Sequence, residues 1–290
     1  MSAPRVELAN LDGRAQLVLD GRLIDVEERS RGRFAADAMR VLREWRAFCA
    51  WARTEAPRAS DPVCDEAALA RLGPCVPAPA QVFGIGLNYR DHAEEAKIPV
   101  PKEPVVFTKF ASCLAGPCAD IALTSDRVDF EVELVVVIGE GGRDIPASVA
   151  LDRVAGYCVG QDVSDRRRQF TDVPPQFSLG KSARGYGPIG PAVVAADALD
   201  DAGDLRLTCD VSGERMQDGR TRNMIFAVPD IVAYLSRWCE LRPGDLIFTG
   251  TPAGVGSVRE PRRYLVAGDV VDSAIEGLGR LRNRCVALPA

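Results

Sequence analysis

Long apolar runs are missing from this 290-residue sequence, and none approaches the roughly 20 residues that a membrane-spanning helix needs. The first residues, MSAPRVELANLDG, lack the apolar segment of a signal peptide. The net charge is −5, and basic residues are scattered except at Arg166, Arg167 and Arg168, so no face typical of nucleic-acid binding is indicated. These absences predict a cytoplasmic protein that binds neither membranes nor nucleic acids.

Paired cysteine motifs are missing too. The cysteine count of nine is odd, and no two cysteines have the CxxC spacing of a zinc or redox site. A disulfide framework is therefore not expected, and most of the cysteines should be small buried residues in a reducing compartment. They are Cys49, Cys64, Cys75, Cys113, Cys118, Cys158, Cys209, Cys239 and Cys285.

The common nucleotide-binding and serine-hydrolase motifs are absent as well. The segment GIGLNYRDH lacks the GxGxxG spacing of a dinucleotide-binding loop, and GTPAGVG lacks the Lys-Ser/Thr pair of a phosphate-binding P-loop. There is no GxSxG elbow that would present a nucleophilic serine. The function must therefore rest on other polar residues.

The first part of the chain predicts a small α/β module. Residues 5–28 alternate apolar and polar side chains around Asp12-Gly13 and Asp20-Gly21, as β-hairpins do. Between residues 34 and 49, apolar residues recur every three or four positions, which predicts one amphipathic helix. A mixed stretch with one helical turn follows. We therefore predict a small N-terminal domain over residues 1–78 and a catalytic domain over residues 79–290.

The second part of the chain is strand-rich. Helices are predicted only after Asn88 and around Asp230–Arg237, where Pro229 suits a helix start. No βαβ series alternates along the chain, which disfavours a doubly wound fold. The predicted fold class is α+β and β-rich, with a mostly antiparallel body. Its predicted strands are Val82–Gly86, Val105–Lys109, Phe130–Ile138, Gly156–Asp162, Leu205–Ser212, Leu246–Thr249 and Val270–Ile275.

Two carboxylates begin the most apolar of these strands. In DFEVELVVVI, Glu131 and Glu133 are two positions apart and should project from one face, with Cα atoms roughly 6.5 Å apart. A hard cation such as Mg²⁺ would offset their repulsion, although a solvated strand end fits the same spacing. Asp162 ends another apolar strand, AGYCVGQD, and the two strand ends would meet if the strands are neighbours.

The single histidine, His92, also precedes an acid at helical spacing. Glu95 follows three positions later, so a helix would place both side chains on one face, roughly 5–6 Å apart at Cβ. A carboxylate beside an imidazole fixes its tautomer and raises its basicity, which suits a general base acting on water. A surface histidine with a chance acidic neighbour is the alternative interpretation.

Taken together, these segments resemble the fumarylacetoacetate hydrolase family, in its branch of acylpyruvate hydrolases and 2-hydroxyhepta-2,4-diene-1,7-dioate isomerases. The resemblance covers about residues 80–286 and follows the family order. The matching segments are GIGLNYRDHAEE, PVVFTKFASCLAGP, DFEVELVVVIG, GYCVGQDVSDRRRQ, SLGKSARGYGPIGP, MQDGRTRNMIF, LRPGDLIFTGTPAGVG and IEGLGRLRNRC.

The resemblance implies a fold and a metal site. The fold would be the mixed β-roll or sandwich of the family's C-terminal domain, usually in a homodimer. Glu131, Glu133 and Asp162 would hold Mg²⁺ or Mn²⁺, and the oxygen atoms of a small 2-oxo acid would complete the coordination of the metal.

The resemblance also implies roles for the remaining polar residues. His92 with Glu95 would activate water. Thr251 would grip the carboxylate of the 2-oxo acid. The residues that would steady the oxyanion or the acid groups of the substrate are Arg166, Gln169 and Lys181.

The implied activity is hydrolysis of a carbon–carbon bond in acylpyruvate-like 2,4-diketo acids. A diene-dioate isomerase, a 2-oxo diacid decarboxylase and a non-catalytic binding protein are the alternatives on the same scaffold. Retention of His92 and Glu95 favours water attack, because isomerisation needs no activated nucleophile. Arg167, Arg168 and Arg184 would select a second substrate carboxylate if they reach the site; otherwise they are exposed or structural.

Overall fold

The computed structural model describes residues 5–288. Its strands are β1 (Glu7–Leu11), β2 (Arg14–Leu19), β3 (Arg22–Asp25), β4 (Val82–Gly86), β5 (Val105–Thr108), β6 (Leu114–Ala115), β7 (Ile121–Leu123), β8 (Val128–Asp129), β9 (Val132–Ile138), β10 (Val154–Gln161), β11 (Ser164–Asp165), β12 (Gly187–Ala195), β13 (Arg206–Val211), β14 (Glu214–Arg220), β15 (Leu246–Phe248), β16 (Val270–Ile275) and β17 (Gly279–Ala287). Its helices are α1 (Val26–Arg29), α2 (Ala38–Arg43), α3 (Trp45–Ala52), α4 (Glu66–Arg71), α5 (Arg90–Glu95), α6 (Arg166–Gln169), α7 (Phe177–Gly180) and α8 (Val228–Trp238).

Two mixed sheets form the body of the molecule. The larger sheet has the strand order β3-β2-β1-β12-β10-β9-β15-β4-β5, with β6 paired to β12 off this path. The smaller sheet has the order β14-β13-β16-β17-β7. Most pairs are antiparallel, and the parallel pairs are β15 with β4, β12 with β6 and β17 with β7. The predicted β-rich α+β class is confirmed.

The N-terminal strands extend the larger sheet. β1 pairs antiparallel with β12, with Glu7 opposite Val194. The apolar faces of α2 and α3 share a core with β9, β10 and β12, where Phe48 and Val135 belong to the same buried cluster. The division into two domains at residue 78 stays a prediction.

β9 is the centre of the larger sheet and is buried along its whole length. It pairs with β10 on one side and with β15 on the other. Its sequence, VELVVVI, is a near-continuous run of β-branched and aliphatic residues, as expected for a strand covered on both faces. Gly160 of β10 lies opposite Glu133, and a Cβ there would lie 2.4 Å from the side chain of Val135. Close packing therefore fixes the two strand ends that carry the candidate carboxylates.

Some predicted element bounds are wrong. The helix predicted over residues 34–49 is two helices, because the backbone leaves helical geometry at Glu44 (φ −112°, ψ 27°). The strand predicted from Phe130 begins at Val132, after the separate short strand β8. The strands β12, β14 and β17 were not predicted at all. The sequence of β12 contains two glycines and two prolines, which disfavour a strand, yet β12 pairs with β10 on one edge through an irregular register.

All nine cysteines are free, and six of them are buried. This arrangement agrees with the expectation of small buried residues without a disulfide framework. Within residues 5–288, no helix has the length and apolar character needed to cross a membrane.

Candidate metal centre and active site

The ends of β9 and β10 bring three carboxylates together. Glu131 immediately precedes β9, Glu133 is the second residue of β9, and Asp162 immediately follows β10. One oxygen of each carboxylate lies within 4.8 Å of the others, and all three side chains are buried. The antiparallel register causes the meeting, because Val132 pairs with Gln161 and the residues flanking this pair become neighbours.

Backbone hydrogen bonds hold the cluster in place. The Asp162 N–H donates to the Glu131 carbonyl over 2.9 Å, and the Glu131 N–H donates to Oε1 of Gln161 over 2.8 Å. The N–H of Gly250 donates to Oε2 of Glu133 over 2.7 Å. Gly250 has φ +96°, a left-handed conformation that favours glycine.

Three cationic side chains offset part of the negative charge. Lys181 Nζ donates to Glu131 Oε2 over 2.5 Å and to Asp162 Oδ2 over 2.6 Å. Arg166 donates to Glu131 Oε1 over 2.5 Å and to Asp129 Oδ2 over 2.9 Å. Lys109 Nζ donates to Asp162 Oδ1 over 2.6 Å. The cluster is therefore held by charge-assisted hydrogen bonds from several elements.

Glu133 differs from the other two carboxylates in its partners. Burial, followed by the charges of Asp162 and Glu131, raises the pKa of Glu133 well above its usual range. Burial also acts to raise the pKa of Glu131, but Lys181 and Arg166 outweigh it and lower that pKa. In the part of the chain that the structure describes, the Glu133 carboxylate forms its hydrogen bond with a backbone amide and has no cationic partner.

This donor set fits a hard divalent cation. Three buried carboxylates supply the oxygen ligands that Mg²⁺ and Mn²⁺ prefer, and a bound cation would neutralise the unpaired charge of Glu133. Glu131, Glu133 and Asp162 are therefore the residues that would hold the metal.

His92 and Glu95 lie on α5, beside this cluster. His92 Nδ1 is 3.6 Å from Glu95 Oε2, and this buried nitrogen has no hydrogen-bond partner among the described residues. The N–H of Gly254 donates to both oxygens of Glu95, over 2.9 and 3.1 Å. Burial acts to raise the pKa of Glu95, but the His92 side chain and this N–H lower it below its ordinary value. Glu95 is thus an ionised group that faces the imidazole.

One cavity of about 360 Å³ collects most of the predicted site residues. Two of them are not part of the cavity wall: Asp162, which belongs to the carboxylate cluster, and Glu95, which lies next to His92. The predicted site residues that line the cavity are His92, Glu131, Glu133, Arg166, Gln169, Lys181 and Thr251. A larger cavity of about 600 Å³ lies elsewhere, around Arg43 and Asp152, and contains none of them.

Two of the predicted substrate-binding side chains are already engaged in hydrogen bonds. The Thr251 hydroxyl donates to the Val132 carbonyl over 2.9 Å and accepts from Gln217 over 2.8 Å, so it would have to rotate to donate to a substrate carboxylate. The Gln169 side-chain oxygen accepts from Arg166 over 3.0 Å, which leaves its amide nitrogen for other contacts.

The sequence analysis did not identify Lys109 or Asp129 as residues of the site. Lys109 is fully buried and also donates to the backbone carbonyls of Lys181 and Tyr186. Asp129 is buried and accepts from Arg166 and from the N–H groups of Gly256 and Ser257. A charged residue inside the apolar segment VVFTKF was the available signal for Lys109.

Replacing Lys109 with Met should destabilise the protein strongly. The change leaves Oδ1 of Asp162 and two backbone carbonyls without the buried Lys109 donor, and breaking a buried ion pair typically costs about 3–5 kcal/mol. Urea unfolding in EDTA measures this loss. Lys102→Met removes an exposed lysine of the same segment and should change the free energy of unfolding by less than about 0.5 kcal/mol. Equal losses in the two variants would contradict a structural role for Lys109.

Comparisons with known proteins show the family of this chain. Residues 81–286 match the fumarylacetoacetate (FAA) hydrolase C-terminal family. Human mitochondrial oxaloacetate tautomerase FAHD2A is 43% identical over 227 residues, which cover 78% of this chain and 72% of that protein.

Solved structures extend the similarity to nearly the whole chain. The crystal structure of a Mycobacterium smegmatis protein provisionally named HpcE has 46% sequence identity and a TM-score of 0.91, covering 98% of this chain and 100% of that chain. Maleylpyruvate hydrolase from Sphingobium sp. SYK-6, crystallised with manganese(II) and pyruvate, has 26% identity and a TM-score of 0.81, covering 97% and 99%. This chain therefore belongs to the fumarylacetoacetate hydrolase family.

Proposed function

We propose that this protein is a divalent-metal-dependent hydrolase that cleaves a carbon–carbon bond of acylpyruvate-like 2,4-diketo acids. One observation carries the proposal: the His92 imidazole and the carboxylates of Glu131 and Glu133 line the same cavity. An imidazole that would accept a proton from water thus lies beside carboxylates that would hold a cation, and this cation would bind the oxygens of a 2-oxo acid. The related maleylpyruvate hydrolase was crystallised with manganese(II) and pyruvate, which supports a divalent cation and a 2-oxo acid as the ligands of this site.

Glu131, Glu133 and Asp162 would hold Mg²⁺ or Mn²⁺. The ion, when bound, would supply Lewis-acid stabilisation of the enolate charge that develops on the pyruvyl part of the substrate. Lys181 and Arg166 flank the same carboxylates and would place positive charge beside the substrate oxygens. Donors aimed at a developing oxyanion typically contribute about 3–4 kcal/mol each to transition-state stabilisation.

His92 would act as the general base. It would take a proton from water, and the hydroxide would add to the distal carbonyl of the substrate. When the bond between carbons 3 and 4 breaks, its electron pair remains on the pyruvyl fragment as an enolate, and the distal fragment leaves as a carboxylic acid. The protonated His92 would return its proton to carbon 3, which yields pyruvate, and the acid would ionise. Glu95, held by Gly254, would orient the imidazole and stabilise its charged form.

A tautomerase or isomerase of 2-oxo acids is the second candidate. The name of the human relative, oxaloacetate tautomerase, favours it. The same residues would suffice, because tautomerisation needs only a proton carried between an oxygen and carbon 3. The two candidates differ in stoichiometry, since only hydrolysis consumes water and releases a second carboxylic acid.

The test is to incubate the protein with acetylpyruvate, fumarylpyruvate or oxaloacetate, in Mg²⁺ or in EDTA, and to quantify the products. Hydrolysis predicts pyruvate and an equimolar carboxylic acid from the diketo acids, in Mg²⁺ only. Interconversion of enol and keto oxaloacetate without acid release would instead establish the tautomerase. Pyruvate from oxaloacetate alone would indicate a decarboxylase.

We also propose that the protein acts in the cytoplasm as a homodimer. The family resemblance supports the dimer, and the nine free cysteines fit a reducing compartment such as the cytoplasm. Sedimentation equilibrium would test the oligomeric state.

A further inference from the structure

The cavity beside the candidate metal centre has a large apolar wall. Phe107, Phe170 and Phe177 form a chain of edge-to-face aromatic contacts, with ring centroids 5.9 Å apart for Phe107 and Phe177 and 6.3 Å apart for Phe170 and Phe177. Lys181 Nζ lies 5.0 Å from the centre of the Phe107 ring, so the aromatic wall begins directly beside the carboxylates. Aliphatic side chains, including Val105, complete it.

The cations of the cavity wall are already paired. Arg166 uses three of its nitrogens for Asp129, Glu131 and Gln169, and Lys181 donates to Glu131. Both lie at the carboxylate end, where the 2-oxo acid head of a substrate would bind. They would face that head rather than a second charge farther along the substrate.

Three arginines were candidates for binding a second carboxylate of the substrate, and they do not line this cavity. Arg167, Arg168 and Arg184 are all missing from the residues that form its wall within the described part of the chain. The Arg167 side chain is 61% exposed and pairs with Asp126 over 2.8 Å.

We infer that the distal group of the substrate is uncharged and apolar, an alkyl or aryl chain that packs against Phe107, Phe170 and Phe177. The inference rests on the proposed function and narrows it to diketo acids with one carboxylate. A second carboxylate against this wall would lose hydration without gaining a partner. Each methylene buried there would raise the affinity by about fourfold, since its burial contributes roughly 0.8 kcal/mol.

The solvent exposure of the apolar side chains in the wall also supports an apolar distal group on the substrate. Phe170 is 59% exposed and Val105 is 40% exposed, so large apolar surfaces face the cavity and solvent. An apolar substrate chain would remove this surface from water, whereas a small diacid would leave it uncovered.

A shape-matched pair of ligands tests the inference. 2-Oxoglutarate and 5-methyl-2-oxohexanoate have the same 2-oxo acid head and spacer, and an isopropyl group replaces the distal carboxylate in the second. Calorimetry on the full-length protein with saturating Mg²⁺ should give a Kd at least about tenfold lower for 5-methyl-2-oxohexanoate. Equal affinities, tighter binding of 2-oxoglutarate, or no binding of either ligand would overturn the inference.

A positive charge placed in the wall should reduce the preference for the isopropyl ligand. Phe170→Arg adds a cation at an exposed position of the wall and should tighten 2-oxoglutarate binding by about threefold to tenfold, while weakening binding of the isopropyl ligand. Phe110→Arg is the matched control, because Phe110 is 54% exposed but does not line the cavity. The same effect in both variants would mean that general electrostatics, and not the wall, sets the preference.

These binding measurements are independent of bond cleavage. If acetylpyruvate yields no pyruvate but the isopropyl ligand still binds more tightly, the proposed hydrolase fails and the apolar wall stands. If acetylpyruvate is hydrolysed and the two ligands bind equally, the inference alone fails.

Discussion

Replacing Glu133 with Gln should remove tight Mg²⁺ binding and reduce pyruvate release from diketo acids by at least about a thousandfold, a loss comparable to about 4 kcal/mol of transition-state stabilisation. Glu133 is the carboxylate of the cluster without a cationic partner among the described residues, so its charge is the one most available to a metal. Glutamine keeps the size and can still accept from Gly250, but it lacks the charge.

The same substitution should stabilise the metal-free protein. Burial and the charges of Asp162 and Glu131 disfavour an ionised Glu133, whereas a neutral amide would donate to those carboxylates. In EDTA, the urea midpoint of Glu133→Gln should therefore exceed that of the wild type, and added Mg²⁺ should raise only the wild-type midpoint. Opposite changes in stability and metal binding are typical of a binding site and not of a core residue.

Glu214→Gln is the control, because Glu214 is an exposed residue of β14, outside the carboxylate cluster. It should leave Mg²⁺ content, turnover and the urea midpoint unchanged. Wild-type metal content and turnover in Glu133→Gln would show that the metal centre is assigned to the wrong residues.

Local sequence patterns predict those strands and helices whose residue types match the backbone conformation that they adopt. The strand β9 was recognised from its continuous run of β-branched residues, and the helix α8 from Pro229 near its start. The break at Glu44 has no such mark. The backbone there closes one tight turn, with the Glu44 N–H donating to the Val41 carbonyl, and no glycine or proline signals it.

The candidate site likewise contains contacts that sequence spacing predicts and contacts that only the folded chain shows. The spacing of two residues predicts that Glu131 and Glu133 share a face, and the helical spacing predicts that His92 and Glu95 are neighbours. The contact of Asp162 with Glu131 depends on the register of two strands, which single-strand patterns do not specify. Lys109 and Asp162 are 53 positions apart in sequence, so only the folded chain shows that this lysine supports the site.

His92→Ala should reduce the hydrolysis of diketo acids by about 10²–10⁴-fold, the usual contribution of a general base, while Mg²⁺ content stays at the wild-type level. The imidazole lines the cavity, and among residues 5–288 no hydrogen bond joins it to the carboxylate cluster, so its removal should leave the residues that would hold the metal in place. Single-turnover kinetics together with metal analysis would measure both quantities in one preparation.

Glu95→Gln separates orientation from proton transfer. Glutamine can still accept from the Gly254 N–H, which holds the side chain, but it cannot stabilise a protonated His92. We therefore expect a smaller loss in kcat than in His92→Ala, with little change in KM, because neither residue is proposed to bind the 2-oxo acid head. The effects should not add in the double variant, since Glu95 acts only through His92. Additive losses would indicate that Glu95 contacts the substrate directly and that the two residues do not form a dyad.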